Sequence, residues 1–497
     1  MKGRFLLFAL LLVGASGNVF SQNPDDFRKK FEDFKAQSRK DYDDFRAQSN
    51  KKYADFMRQA WEKFGAEPAV ERPVELPVKP EECKEQEMAQ PREEKKIVFD
   101  QVIQVEQPRP QPQPVSPLLE TSAMRKYEPQ VKECAFTFLG TSMKVRVPKN
   151  KMKPLVKLRE GVVADAWEKY SNGDYDELIS DCLKLREKHK LCDWAYLEML
   201  HAMAVAYFGA EGNDAILMTA YIYCQSGYQI RLAFGKDNTE LIMLYASLHN
   251  IYERPYYNID GVKFYCYRTR CEELYICNNK FPSEQPLSLL ITSNMVLDTD
   301  MSDDRALQAR RYENAHADVH VNKNLIKFYD EYLVSTVGSN AMSRWTIYAN
   351  TPLDPKVVDH MYPSLRRSLE GKGEAEQLDI LLNFVQTAFE YEYDDKVWGK
   401  DRIFFAEETL YYPYCDCEDR SILFSRLVRD LLGLDVVLVY YPGHLSTAVK
   451  LTQRVPGDYL ILNDEYYLVC DPTYINARIG MTPAEVDNAS AKLIKLN

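Results

Sequence analysis

Between residues 415 and 474 helical and strand-like segments follow one another with almost nothing between them, and that order leaves few folds open. Ser421 to Leu432 carries apolar residues at 423, 424, 427, 428, 431 and 432. That is the spacing of a helix packed by one face on a core, and Gly433 supplies its stop. Asp435 to Tyr441 is an unbroken apolar run and reads as a buried strand. Pro442-Gly443-His444 opens the next strand, which continues through Val449. Tyr459–Leu462 and Tyr466–Cys470 pair as a hairpin around Asn463-Asp464-Glu465, and Asp471-Pro472-Thr473-Tyr474 closes the set. With a further helix at Leu378–Phe389, the pattern predicts an α+β domain over 351–497.

The same stretch spaces three reactive side chains 27 positions apart, at 417, 444 and 471. Cys417 falls at a helix start, where unpaired backbone N–H groups and the positive end of the helix dipole favour thiolate. His444 begins a strand and can act as base. Asp471, on the neighbouring strand, can hold the other imidazole nitrogen and fix the tautomer. Two bland readings stand beside this one. Cys415-Asp416-Cys417 can be a disulfide or redox pair, or Cys415 can bond Cys470. Asp419 reads as structural, capping the helix or pairing with Arg420 or Arg426.

Residues ~355–480 resemble the transglutaminase-like branch of the papain-type cysteine enzymes. The resemblance rests on Cys417-x-Asp419, His444 and Asp471-Pro472-Thr473. Phe405-Ala-Glu-Glu-Thr-Leu and the Cys-Glu-Asp-Arg run further resemble exported proteins of Bacteroides-type bacteria. It implies a papain-like domain in which Cys417 is the nucleophile, His444 the general base and then acid, and Asp471 the orienting carboxylate. It also implies attack on amide bonds of a peptide or protein substrate through an acyl-enzyme thioester. Hydrolysis by a peptidase or amidase is expected over cross-linking, with no cofactor and no metal. The sequence departs from the family at Cys415, where Gly is frequent, and at Leu445-Ser446 after the histidine. Trp398 and Tyr412 are the candidate side-chain oxyanion donors, with the backbone N–H of Cys417 as the other. The alternative is a catalytically silent envelope protein that uses the papain-like domain and an N-terminal helix for binding.

Upstream, an eleven-residue repeat (Asp33-Phe34-Lys-Ala-Gln-Ser, Asp44-Phe45-Arg-Ala-Gln-Ser, Asp55-Phe56) puts aromatics at 31, 34, 42, 45, 53, 56 and 64 on one face. It predicts an amphipathic, coiled-coil-like helix within 23–65, running from about Pro24 to Gly65. That helix would either lie on its own globular body or serve self-association and docking. Residues 66–118 are rich in proline and read as an extended linker with Cys83 exposed. Residues 119–350 form a second α+β region with a four-helix bundle over 154–233. His316-Ala-Asp-Val-His320 has metal-like i, i+4 spacing, but it lacks a third ligand and reads as a solvated polar segment. Asp298-Thr-Asp300-Met-Ser-Asp303-Asp304 lacks the glycine and glutamate of a calcium loop and reads as an acidic loop.

Residues 1–22 read as a signal peptide, with Lys2 and Arg4 before the apolar Phe5–Val13, and no cysteine there serves as a lipid anchor. A secreted or periplasmic location follows as an expectation. So does an oxidising compartment for the 11 cysteines, an odd number that leaves at least one free thiol. The 497 residues suffice for two or three cores. A net charge of -11 without a basic face argues against nucleic acid as a partner, and no later segment is apolar enough to span a membrane.

Overall fold

In the computed structural model, residues 24–73, 78, 80–84, 94–104, 109–114, 130–150, 154–269, 273–338 and 340–497 are described. The expected signal peptide lies outside them. The fold is mixed α+β, with 37% helix and 24% strand. No described helix is long and apolar enough to cross a membrane.

Four successive helices, Glu160–Tyr170, Asp176–Lys188, Asp193–Phe208 and Asn213–Gln225, follow the apolar periods of the sequence. Asn213–Gln225 packs on a six-stranded antiparallel sheet in the order 62–65, 273–277, 230–234, 241–246, 262–266, 256–259, while Asp176–Lys188 and Asp193–Phe208 pack on the hairpin Val131–Phe138 and Thr141–Pro148. A second six-stranded sheet has the order 96–99, 459–462, 465–470, 444–449, 436–441, 492–495. One face of that second sheet carries the helix Cys417–Leu432, and Glu374–Thr387 packs on that helix in turn. A single apolar core runs from these helices into this region, joining Trp167, Tyr329, Phe405, Leu427 and Leu438. Gly433 ends the helix in the left-handed conformation (φ 68°), and Gly443 (φ 74°) turns the chain between Val436–Tyr441 and His444–Val449.

The N-terminal helix spans Pro24–Met57 and stops short of the expected Gly65. Trp61 stacks flat on Phe234 with centroids 4.1 Å apart, and Glu62–Gly65 becomes an edge strand on Glu273–Cys277. Pairing with the sheet outweighs continuation of the repeat. The second half of the helix lies on its own body, with Tyr53, Ala54 and Met57 buried. A buried amide network anchors it there. Trp167 Nε1 donates to Asn50 Oδ1 (2.9 Å), and Asn50 Nδ2 donates to Gln225 Oε1 (2.9 Å). Phe31 and Phe34, on the first half, are exposed.

The described parts of the proline-rich segment are laid along the body. Lys96–Phe99 pairs in parallel with Tyr459–Leu462, and Ile103 N donates to Leu493 O (2.8 Å). Gln111 Nε2 donates to Leu191 O (2.9 Å). Cys83 is 3% exposed, packed with Tyr474, Ala477 and Met481, so the exposed thiol expected there is corrected. Ile97, Phe99, Val102 and Ile103 pack on the sheet, where burial outweighs the extended chain's entropy, while Cys83 is drawn in by its own apolar cluster beside Ile475.

Candidate active site

The helix Cys417–Leu432 starts in a capping box. The Asp416 carboxylate accepts from Glu418 N (3.0 Å) and Asp419 N (3.5 Å), while Asp419 Oδ2 accepts from Asp416 N (3.2 Å). Asp419 also accepts from Phe404 N (2.9 Å) through Oδ1. Asp419 is therefore structural, and it caps the helix rather than pairing with Arg426, which bonds Asp430.

His444 and Asp471 come together, with Nε2 to Oδ2 at 2.7 Å. The antiparallel register places Thr447 opposite Cys470 and so sets His444 and Asp471 at the same end of adjacent strands. Asp471 Oδ1 also accepts from Thr473 N (2.8 Å) and Tyr474 N (3.3 Å). Burial pushes the Asp471 carboxyl up, but the facing imidazole and these amides outweigh it and hold the group below its ordinary range. His444 Nδ1 is buried and has no hydrogen-bond partner.

Cys417 borders the same cleft as His444, with Gly443, Leu445, Trp345 and Arg344. It is 6% exposed. The thiol accepts from the Leu445 N–H, one residue past the histidine. Thiol and imidazole share no hydrogen bond in this arrangement, since Nδ1 is unpartnered. The electrostatics also differ from the expected thiolate. Burial pushes the Cys417 thiol well up, and the carboxylates of Asp416 and Glu418 on either side push the same way. A helix N-terminus favours the anion only when its first turn is not already occupied by acids, and here it is.

Those acids form a group. Burial, followed by the charge of Glu418, pushes Asp394 up to about 8. Burial and the charges of neighbouring aspartates raise Asp416 and Glu418 as well. One carboxylate oxygen from each of Asp394, Asp401 and Glu418 lies within 4.8 Å of the others, a spacing that suits a hard cation. Protein groups already answer part of that charge. Arg72 sits 3.5 Å from Asp401, Trp345 Nε1 donates to Glu418 Oε2 (2.5 Å), and Arg402 N donates to Asp394 (2.6 Å).

Two buried polar residues hold the frame, and the sequence reading missed both roles. Arg420 donates to Gln386 O (3.1 Å) and Phe389 O (2.8 Å), tying the helix that begins at Cys417 to the end of Glu374–Thr387. Gln386 Nε2 lies 3.0, 2.7 and 3.3 Å from the carbonyls of Asp471, Tyr474 and Ala477. Gln386 was legible as a polar residue on an apolar helix face, in phase with Leu382 and Phe389. Trp345 and Arg344, far upstream, carried no local signal.

Trp398 and Tyr412, the expected oxyanion donors, do not border the cleft. Both pack on the Arg402 guanidinium (4.6 and 5.0 Å), and Tyr412 Oη donates to Asp330 (2.7 Å). The ten described cysteines are free, so neither Cys415–Cys417 nor Cys415–Cys470 is a disulfide. The Cys415 sulfur instead accepts from Arg420 Nε (3.5 Å).

The N-terminal segment borders the site on both sides of His444. Pro73 lines the hollow with Cys417, and Val78, Pro80 and Glu81 line the one with Asp471. Val78 N donates to Gly443 O (2.9 Å), and Glu81 and Cys83 exchange backbone hydrogen bonds with Ile475 (both 2.8 Å). No known protein family matches the chain, and no curated protein or solved structure gives a match to it.

Proposed function

We propose that the chain is an exported, transglutaminase-like thiol enzyme acting on amide bonds of a peptide or protein substrate. Cys417 attacks the carbonyl, His444 takes the thiol proton and later returns it to the leaving amine, and Asp471 orients the ring. Water then cleaves the thioester, so hydrolysis is favoured over transfer to an amine. The observation that carries the reading is the 2.7 Å bond from Asp471 to His444 Nε2, which leaves Nδ1 free in a cleft that Cys417 also borders. Proton transfer from the sulfur to that nitrogen would relieve the cost of a thiolate among carboxylates by forming an imidazolium beside it.

A second reading, a catalytically silent binding or scaffold protein, draws on Pro73, Val78, Pro80 and Glu81, which border the site, and on the acids beside Cys417. Iodoacetamide separates the two. The enzyme reading expects rapid alkylation of Cys417, mapped by peptide mass, that falls to the rate of an ordinary buried thiol in His444→Ala. Equal, slow labelling of both chains would favour the scaffold.

A further inference from the structure

The geometry points to a transition-metal site, zinc by its donor chemistry, formed by His320, His360 and Asp304. Asp304 immediately precedes the strand Arg305–Gln308, and His320 immediately follows the strand His316–Val319. The antiparallel register pairs Arg305 with Val319, so Asp304 and His320 meet at the same end of the hairpin. His360 comes from a third element, the helix Pro355–Leu369 packed against that hairpin. One nitrogen from each ring and one carboxylate oxygen all lie within 4.8 Å of one another. The imidazole rings stack with centroids 3.9 Å apart and planes 24° from parallel, and His320 Nδ1 is 2.9 Å from Asp304 Oδ1.

The i, i+4 pair of the sequence does not form the site, because His316 and His320 lie on extended chain and His316 sits across from Gln308. The second imidazole is supplied by a helix 40 positions downstream of His320, which sequence spacing cannot reveal.

The donor set decides the class of ion. Two imidazoles and one carboxylate suit zinc and its first-row neighbours, whereas calcium and magnesium take oxygen ligands. A tetrahedral ion with bonds of about 2.0–2.2 Å needs ligand atoms ~3.4 Å apart and lies in the plane of each ring, so the stacked imidazoles must turn apart to complete the set. Asp304 is 66% exposed and His320 25%, so an ion reaches them from solvent without opening the core. Three protein ligands leave one position for water, the pattern of open rather than closed zinc sites. The surroundings are acidic. Asp303 and Asp359 are exposed beside the ligands, while the nearby cation Lys323 is already paired with Asp300 (2.9 Å). None of the three ligands borders the Cys417 cleft, so the site stands whether or not the thiol is reactive.

Titration of the full chain with zinc, followed by calorimetry, tests the site. One ion per chain is expected at this site, with His320→Ala and His360→Ala each weakening it at least tenfold and His316→Ala leaving it unchanged. Cobalt substitution distinguishes it from the cysteines. Bound cobalt should show visible d–d absorption without the thiolate charge-transfer band. A measurement needing no variant is diethyl pyrocarbonate labelling of the wild-type chain, in which zinc should protect His320 and His360 but not His316. Zinc binding that survives both histidine variants, a thiolate band, or no protection of the pair would overturn the assignment.

Discussion

Gln386→Leu should destabilise the chain by about 2–4 kcal/mol and loosen the loop that carries Asp471. Nε2 bears two hydrogens, so at any moment it serves two of the three carbonyls at 3.0, 2.7 and 3.3 Å. Two net hydrogen bonds at ~1 kcal/mol each contribute about 2 kcal/mol. Leaving their buried carbonyls without a donor adds roughly 1–3 kcal/mol for each one that finds no other partner. Against this, Gln386 Oε1 is itself buried without a partner, and its removal returns about 1 kcal/mol or more. Leucine is close to glutamine in volume, so a cavity term adds little. Urea unfolding should show a lower midpoint with an unchanged slope. Hydrogen exchange should speed at Thr473 and Tyr474, whose amides bond the Asp471 carboxylate. A loss under about 0.5 kcal/mol, or exchange at those amides that does not change, would refute the view that Gln386 positions the Asp471 loop.

Three further outcomes are expected. Burial holds Glu407 up to about 8, so the folded chain keeps a proton that the unfolded chain releases. Stability should thus be greatest below the ordinary glutamate range and decline as pH climbs toward 8. Glu407→Gln, which keeps the acceptor for Asp354 N (2.7 Å), should remove that decline and gain a few kcal/mol at pH 9 at about 1.4 kcal/mol per unit; equal pH profiles for the two chains would contradict it. Gly227→Ala should cost at least about 2 kcal/mol in thermal or urea unfolding. Gly227 has φ +97°, and a Cβ there would sit 2.3 Å from Gln113 O; an unchanged melting temperature would show that the proline-rich segment does not pack there. Val78→Pro removes the N–H that bonds Gly443 O and should accelerate alkylation of Cys417, while an unchanged rate would mean that this segment does not limit access.

The C-terminal elements were legible because each signal was local. The helix from 417 carries its apolar face and its Gly433 stop within 17 residues of chain, and the strands that follow are short, continuous apolar runs. The pairing of His444 with Asp471 was legible for the same reason, since adjacent antiparallel strands fix which residues meet. What was not legible depended on distant chain. Burial of Cys417 by distant chain, followed by the charges of Asp416 and Glu418, reverses the thiolate preference that the helix start alone suggests. The repeat at 33–57 has a clear period, yet period does not say where Trp61 will stack, and that contact ends the helix. Proline content suggested extended chain, but it could not show that Ile97, Phe99 and Ile103 would find a sheet edge.

Trapping the acyl intermediate bears most directly on the central claim. The full chain, mixed with a small activated acyl ester and quenched in acid, should gain the mass of one acyl group on Cys417 as a thioester that hydroxylamine removes. His444→Ala should slow its formation by about 10²-fold or more, and Asp471→Asn should slow it in the same direction. A chain that acquires no acyl group, or one acylated at another residue and equally fast without the imidazole, would contradict a Cys417–His444–Asp471 mechanism.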